Sequence, residues 1–331
     1  MISEGLTVFL LAIAYDILLG EPPARVHPVV LIGKLIAFLR ARSLRAQSPP
    51  TRVSGIALAM IVIVVTVLCG HLAVKAAGFI PLLSLIVSAY LLKSTFAISC
   101  LLQVSRDIGQ MIDRDMDEAK SMLPALVGRD TTSLTRAQAS SAVIESLSEN
   151  YVDSILTPIF FYLALTPFGL GLEAALAFKA ISTMDSMIGY KTRELKELGF
   201  AGAKLDDLAN FIPARLSILF IGLARPSKAS AALRAAFRDH SATPSPNSGW
   251  PMAACAGSLD IRLEKPGRYV LQEEGKEPET ADVPRALRLM QWAIALTLAA
   301  AILILFSWPI ELDCESIMCL CERLIFLCGF A

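Results

Sequence analysis

Apolar runs separated by polar, basic stretches dominate the chain. A helix that crosses a bilayer needs about 20 mostly apolar residues, and shorter runs cross by tilting or by thinning the membrane. Segments 6–19, 55–72, 79–92, 155–170, 174–188 and 293–308 meet that pattern and are predicted spans. Segment 216–224 is apolar over only half that length and follows Pro213 and Arg215, so it is predicted to be a re-entrant or interfacial half-helix. The expected fold class is an all-α integral membrane protein, a multi-spanning helical bundle with helical and irregular cytoplasmic loops.

Basic residues orient the bundle. Lys34, Arg40, Arg42, Arg45 and Arg52 follow the first run, and Lys93, Arg106, Arg114, Lys120, Arg129 and Arg136 follow the third, so the positive-inside rule puts both stretches in the cytoplasm. The basic stretches 191–204 and 225–288 join them there only if 216–224 dips into the membrane without crossing. The N-terminus and the acidic tail (Glu311, Asp313, Glu315) then face outward. Polar segments 106–150 and 225–288 exceed connector length. They are expected to cover the cytoplasmic face of a single membrane-embedded domain, 1–331. Within the second, Lys265, Pro266 and Gly267 signal a turn ahead of 268–271, compatible with a small hairpin or an irregular element.

Composition agrees: 55% of residues are apolar and 18% charged, where soluble proteins carry about 25% charged residues. Thirty basic and thirty acidic residues cancel, which leaves no overall field to attract nucleic acid. The first apolar run has neither a basic segment before it nor a small-residue cleavage site after it, so it reads as retained rather than as a signal peptide. Among seven cysteines, Cys69 and Cys100 lie in apolar runs and Cys255 in a loop, while Cys314, Cys319, Cys321 and Cys328 fall near the end. Their spacing matches neither a disulfide framework nor a zinc site.

Carboxylates and amides embedded in apolar sequence point to chemistry. An ionised carboxylate near hydrocarbon is costly unless it meets a cation, a metal or water. Thr135 and Gln138 form a capping box that opens a helix with Val143, Leu147 and Tyr151 on one side and Glu145, Glu149 and Asp153 at four-residue spacing on the other. Either the three acids form a solvated face, or a cation sits among them. Magnesium suits the second case, since it takes one or two carboxylates plus waters and substrate phosphates. Further on, Lys179, Ser182, Ser186, Gly189 and Arg193 make a polar stripe with Asp185 alongside. Asp185 either pairs with Lys179 or Arg193 or faces a cavity. Asp206, Asp207 and Asn210 precede Arg215. Paired acids clamp a metal that bridges phosphates, and arginine grips phosphate or carboxylate; the plain alternative is a helix start. His27 and His240 are loop histidines, and Arg129 lies in a turn with Thr131 and Thr132. No phosphate-binding GxxxxGK[ST] loop is present.

Several blocks in one order carry a family resemblance: Asp16 to Gly20 with His27 and Pro28; Val127 to Thr131; Glu145, Glu149, Asn150 and Asp153; Lys179 with Thr183 to Tyr190; Asp206 to Asn210 with Pro213 and Arg215; and Ser245 to Asn247 with Trp250 and Gly257. Together they resemble the CobD/CbiB family, the adenosylcobinamide-phosphate synthases of cobalamin biosynthesis, from Asp16 to about Trp292. The resemblance implies a multi-pass inner-membrane ligase with its active site facing the cytoplasm. It would join adenosylcobyric acid to (R)-1-amino-2-propanol, as the free amino alcohol or its O-phosphate, with ATP and Mg2+. It implies catalytic roles for Glu145, Glu149, Asp153 and Asp185, metal binding by Glu149, Asp153, Asp185, Asp206 and Asp207, and ATP or substrate binding by Arg129, Asn150, Lys179, Lys191, Asn210, Arg215 and Asn247. Besides the lipid bilayer, a homo-oligomer or an assembly with other enzymes of the pathway is compatible with it. Glu21 stands where the family usually has Asp, and Pro251 and Met252 replace an acid-bearing pair. The competing readings are a non-catalytic membrane sensor resembling the AmpE proteins and a corrinoid or ion transporter.

Overall fold

The computed structural model describes residues 4–45, 49–128, 130–190 and 192–307 and is a helical bundle with one small hairpin. Chain order runs α1 (Glu4–Leu19), α2 (Pro28–Leu44), α3 (Arg52–Ala77), α4 (Pro81–Lys93), α5 (Ile98–Arg114), α6 (Met116–Met122) and α7 (Arg136–Tyr151). A π-turn (Val152–Leu156) then leads into α8 (Thr157–Leu165), α9 (Gly171–Ile188), α10 (Phe200–Ala209), α11 (Phe211–Ala224), α12 (Ala229–Asp239) and α13 (Gly249–Leu259). Strands β1 (Leu263–Lys265) and β2 (Tyr269–Leu271) and helix α14 (Asp282–Ser307) complete it.

Local chemistry sets the helix starts. The predicted capping box of Thr135 and Gln138 opens α7, a second box of Thr51 and Ser54 opens α3, and His27 with Pro28 opens α2. The turn at Lys265 to Gly267 closes an antiparallel hairpin that pairs Leu263 with Leu271, with Gly267 at φ 69° as the reversal requires.

Among the described residues, four helical paths are long and apolar enough to cross a membrane: Arg52–Ala77, Pro81–Arg114, Arg136–Phe168 and Asp282–Ser307. A fifth exists if α10 and α11, bent by 41° at Asn210, count as one. Exposed apolar side chains such as Met60, Leu68, Leu83 and Leu303 coat these paths, as a lipid-facing surface requires. The chain is a helical membrane protein. Two of the six predicted spans do not meet that test: α1 has 16 residues, and α9, with 18, carries Glu173, Lys179 and Asp185. The predicted half-helix at 216–224 is the second part of α11, beyond the bend. The tail acids Glu311, Asp313 and Glu315 and the last four cysteines lie outside the described residues.

Helix α7 departs from the solvated-face alternative. Residues 139–148 are all buried, because alanines and serines let α5, α13 and α14 approach closely. Its Ser148 hydroxyl returns to its own helix, and Ser141 and Ser146 bond the hairpin and the Leu126 carbonyl. The larger core cluster joins α1, α5, α7, α8, α13 and α14; a smaller one joins α2, α3, α9 and α10.

Candidate active site

Where α7 gives way to α8, the regular ladder breaks. The Thr157 amide reaches back five residues to the Val152 carbonyl, a π-turn of the kind that recurs at functional sites. Pro158 has no N–H, and the Ser154 carbonyl one turn before it accepts instead from the Ala97 amide at the start of α5, at 3.1 Å. Asp153 therefore sits on an irregular turn that is cross-linked to a neighbouring helix. Directly opposite lies a second irregularity, the bend at Asn210. Asn210 is buried; its Oδ1 accepts from Thr157 Oγ1 at 2.6 Å and its Nδ2 donates to Asp206 Oδ2 at 3.0 Å. Two broken helices thus aim acids at one another, as in membrane sites built from discontinuous helices.

Between them is a hollow of about 250 Å3 lined by Glu149, Asp153, Asp185, Asp206, Asp207, Asn210 and Asn247, with Gly189 and the turn at 244–248 closing it. A side chain on Gly189 would strike the Asp185 carboxylate, so glycine leaves that acid its space. Asn247 fixes the turn by donating from Nδ2 to the Asp207 carbonyl at 2.7 Å, and Ser245 Oγ accepts from the Asn247 and Ser248 amides. Asp207 is held at the rim by Lys204 at 3.2 Å.

Glu149, Asp153 and Asp185 have no hydrogen-bond or ion-pair partner among the described residues, though none is fully exposed. Their charges, with that of Asp206, act on one another. Lys179 offers compensating charge to Asp153, and Lys265 to Glu149. Among the described residues, no three acidic, histidine or cysteine side chains converge as a ready-made metal cage. Acids ringing a hollow fit Mg2+ better than such a cage, because that ion keeps several waters and takes its remaining ligands from phosphate. Glu149, Asp153, Asp185 and Asp206 are the residues that would hold it.

Other predicted site residues lie apart. Glu145 accepts from Ser141 Oγ and Tyr269 Oη, both at 2.7 Å, and so ties α7 to the hairpin instead of lining the hollow. Asn150 donates back to the Ser146 carbonyl and hydroxyl. Lys179 lies on α9, within range of the charges of Glu21, Lys93 and Asp153. Arg215 adjoins the hollow from outside, with Nη1 at 3.5 Å from Asn247 Oδ1. His240 stacks on Trp250, and His27 caps α2. Arg129 and Lys191 lie outside the described residues.

One cluster has no role in the sequence-based assignment. Lys93, fully buried, contacts Asp16 Oδ1 at 2.9 Å and Glu21 Oε1 at 2.8 Å and donates to the Phe96 carbonyl. Asp16, also fully buried, accepts from the Ile98 and Ser99 amides and the Ser99 hydroxyl. Glu21 is met by His27 Nε2 at 3.0 Å. Since His27 Nδ1 accepts from Val29, the ring proton sits on Nε2. This network clamps the start of α5, whose Ala97 amide holds the turn next to Asp153. An acid inside the first apolar run was its visible sign; Thr157 offered none.

Comparison with known proteins matches this architecture to one family. The CobD/Cbib protein family matches residues 9–290. A probable cobalamin biosynthesis protein CobD of Methanothrix thermoacetophila is 51% identical over 92% of this chain and 99% of its own length. A probable CobD of Methanothermobacter thermautotrophicus is 37% identical over 89% of this chain and 96% of its own. The cobalamin biosynthesis protein CobD of Klebsiella pneumoniae is 37% identical over 86% and 92%. No solved structure matches. With most of its length matched by the family and by relatives along nearly their whole sequences, the chain belongs to the CobD/CbiB family.

Proposed function

We propose that the protein is an acid–amine ligase of cobalamin biosynthesis that joins adenosylcobyric acid to (R)-1-amino-2-propanol O-phosphate, or the free amino alcohol, using ATP and Mg2+. The observation that carries this reading is the hollow in which Glu149, Asp153 and Asp185 face one another without a partner among the described residues. Such a group of acids is costly to keep ionised near hydrocarbon unless a cation joins it. The names of the relatives supply the pathway.

Bound there, Mg2+ would neutralise the nucleotide's phosphates, and the nucleotide would activate the substrate carboxyl for attack by the amine. The chain's own groups do the rest. Glu149, Asp153 and Asp185 fix the cation, and Asn210, oriented by Thr157, holds Asp206 in place. Asn247 sets the height of the turn over the hollow. Lys179 and Arg215 offer cations to substrate anions on either side. At about 250 Å3 the hollow suits a metal with phosphate groups, not a whole corrinoid. The basic loops support a cytoplasmic face of the inner membrane as its location.

Purified protein in detergent is to be incubated with adenosylcobyric acid, magnesium ATP and each amine in turn. Amide product with stoichiometric ADP is expected. No product with any amine, together with corrinoid uptake into vesicles that carry the protein, would replace the ligase with a transporter.

A further inference from the structure

Helices α5 and α14 border a polar cleft of about 480 Å3 that shares no lining residue with the acid-lined hollow. Its floor is Gly109 of α5 against Val283 of α14, both buried. A side chain on Gly109 would strike Val283, so glycine lets the two helices meet there. Arg106 and Gln110 stand on the α5 wall, and Arg288 and Gln291 on the α14 wall. Arg106 and Arg288 are exposed, and neither has a hydrogen-bond or ion-pair partner among the described residues. Asp113 is the acid among the lining residues. It lies two turns past Arg106, about 10 Å further along α5.

The cleft sits where charge gives way to hydrocarbon. No charged residue follows Arg288 in α14, and none lies between Lys93 and Arg106 on the path formed by α4 and α5. By the positive-inside rule this border belongs to the cytoplasmic leaflet. Trp292, one turn beyond Arg288 and 65% exposed, stands at the headgroup level that aromatic belts occupy. From Arg288 a single exposed stripe continues through Trp292, Ala295, Ala299 and Leu303 at three- and four-residue spacing. The stripe is about 22 Å long at a helical rise of ~1.5 Å per residue, more than the roughly 15 Å of hydrocarbon in one leaflet. Its two alanines leave a shallow track between the larger side chains.

We propose that the cleft holds the headgroup of an anionic phospholipid of the cytoplasmic leaflet, with its phosphate between Arg106 and Arg288 and one acyl chain along the α14 stripe. A basic pocket between membrane helices on that side is suited to a phosphate headgroup, and arginine offers the fork that grips it. Charge selects among lipids. Two arginines and Asp113 leave a single net positive charge, which a phosphodiester with an uncharged end neutralises and one ending in ethanolamine or choline does not. Hydroxyls at that end, as in phosphatidylglycerol, donate to Asp113 and Gln110, whereas choline has no proton to give. Exposed leucines elsewhere on the bundle need only bulk hydrocarbon, but two unpaired arginines flanking one cleft call for an anion. The inference is independent of the ligase reading.

Full-length protein in detergent, stripped of co-purified lipid, is to be titrated with dioctanoyl phosphatidylglycerol, phosphatidylethanolamine and phosphatidylcholine, with native mass spectrometry reading occupancy. The first phosphatidylglycerol should bind at least about tenfold more tightly than either other lipid. Arg106→Gln and Arg288→Gln should each weaken it about tenfold to a hundredfold. Arg42→Gln, at an exposed position of α2 outside the cleft, should leave it unchanged. Mn2+, standing in for Mg2+ and followed by electron paramagnetic resonance, should bind the arginine variants as it binds wild type, which separates this site from the acid-lined hollow. Ala295→Trp blocks the track, keeps both arginines and should cost about tenfold; it decides the matter should an arginine variant lose cooperative unfolding or Mn2+ binding. Wild-type phosphatidylglycerol affinity in these cleft and track variants overturns the proposal. So does equal binding of all three lipids, which would leave bulk lipid only. Competition by glycerol phosphate at the affinity of the whole lipid overturns it too, and would make the cleft a site for a soluble phosphate.

Discussion

Lys93→Met tests the buried ionic cluster most directly. The substitution keeps side-chain length and removes the charge that faces Asp16 and Glu21, at 2.9 and 2.8 Å. Breaking a buried pair from one side costs about 3–5 kcal/mol, because the other charge stays behind. Asp16 is fully buried but keeps three donors, the Ile98 and Ser99 amides and the Ser99 hydroxyl, and the Glu21 side chain is 29% exposed and reaches water. Both features place the loss at the low end, about 3 kcal/mol. Adding Asp16→Asn removes the stranded charge and should return more than half of that loss. The measurement is the thermal unfolding midpoint in one detergent for wild type, Lys93→Met and the double variant. Mn2+ affinity should fall in the single variant too, since the cluster clamps the start of α5, and with it the turn next to Asp153. An unchanged midpoint in Lys93→Met, or a double variant no more stable than the single, would refute the argument.

Glu149→Gln and Asp153→Asn should each lower turnover more than about a hundredfold and weaken Mn2+ binding while the midpoint stays within about 3 °C, and full activity in both would remove these acids from the site. Thr157→Val should cut turnover about tenfold by freeing Asn210 from its hydrogen bond, with Thr157→Ser restoring it; steady-state kinetics decides. Gly199→Ala should destabilise by about 3 kcal/mol, because a Cβ there meets the Ile188 carbonyl, as chemical denaturation would report. Burial alone would raise the Glu21 carboxyl, but hydrogen bonds from His27 and Lys93, with the charge of Lys93, outweigh it and hold it below its ordinary 4.5. Its contribution is therefore complete above that value and lost as pH falls beneath it. The acid-side decline in unfolding midpoint should shrink in Glu21→Gln.

Much of this was legible in the sequence, and the rest failed for identifiable reasons. Helix starts at Thr135 and the hairpin turn at Gly267 are local matters of capping and backbone freedom, and both stand where expected. Acids separated by up to 58 positions, Glu149 to Asp207, do line one hollow. Spacing along α7 put Glu145 in the same row as Glu149, but a row on a helix does not say what faces it. The hairpin docks over the first acid and leaves the second open. Asp16 and Lys93 sit 77 positions apart, in runs read as lipid-facing or as topology charges, and only the packing of α1 against α4 brings them together. Burial of α7 was hidden by its serines, which look polar in sequence, though Ser141, Ser146 and Ser148 bond within the helix or to its neighbours.

The carbonyl that Ser154 lends to Ala97 has a mechanical consequence. A helix stitched to its neighbour at mid-length is barred from sliding along its own axis or unwinding there without tearing the stitch. Glu149 and Asp153 are thereby held on a pinned backbone. Asp206 and Asp207 ride on α10, ten residues ending at a bend, and that side is stitched as well, through Asn210 to Thr157 and through the Asp207 carbonyl to Asn247.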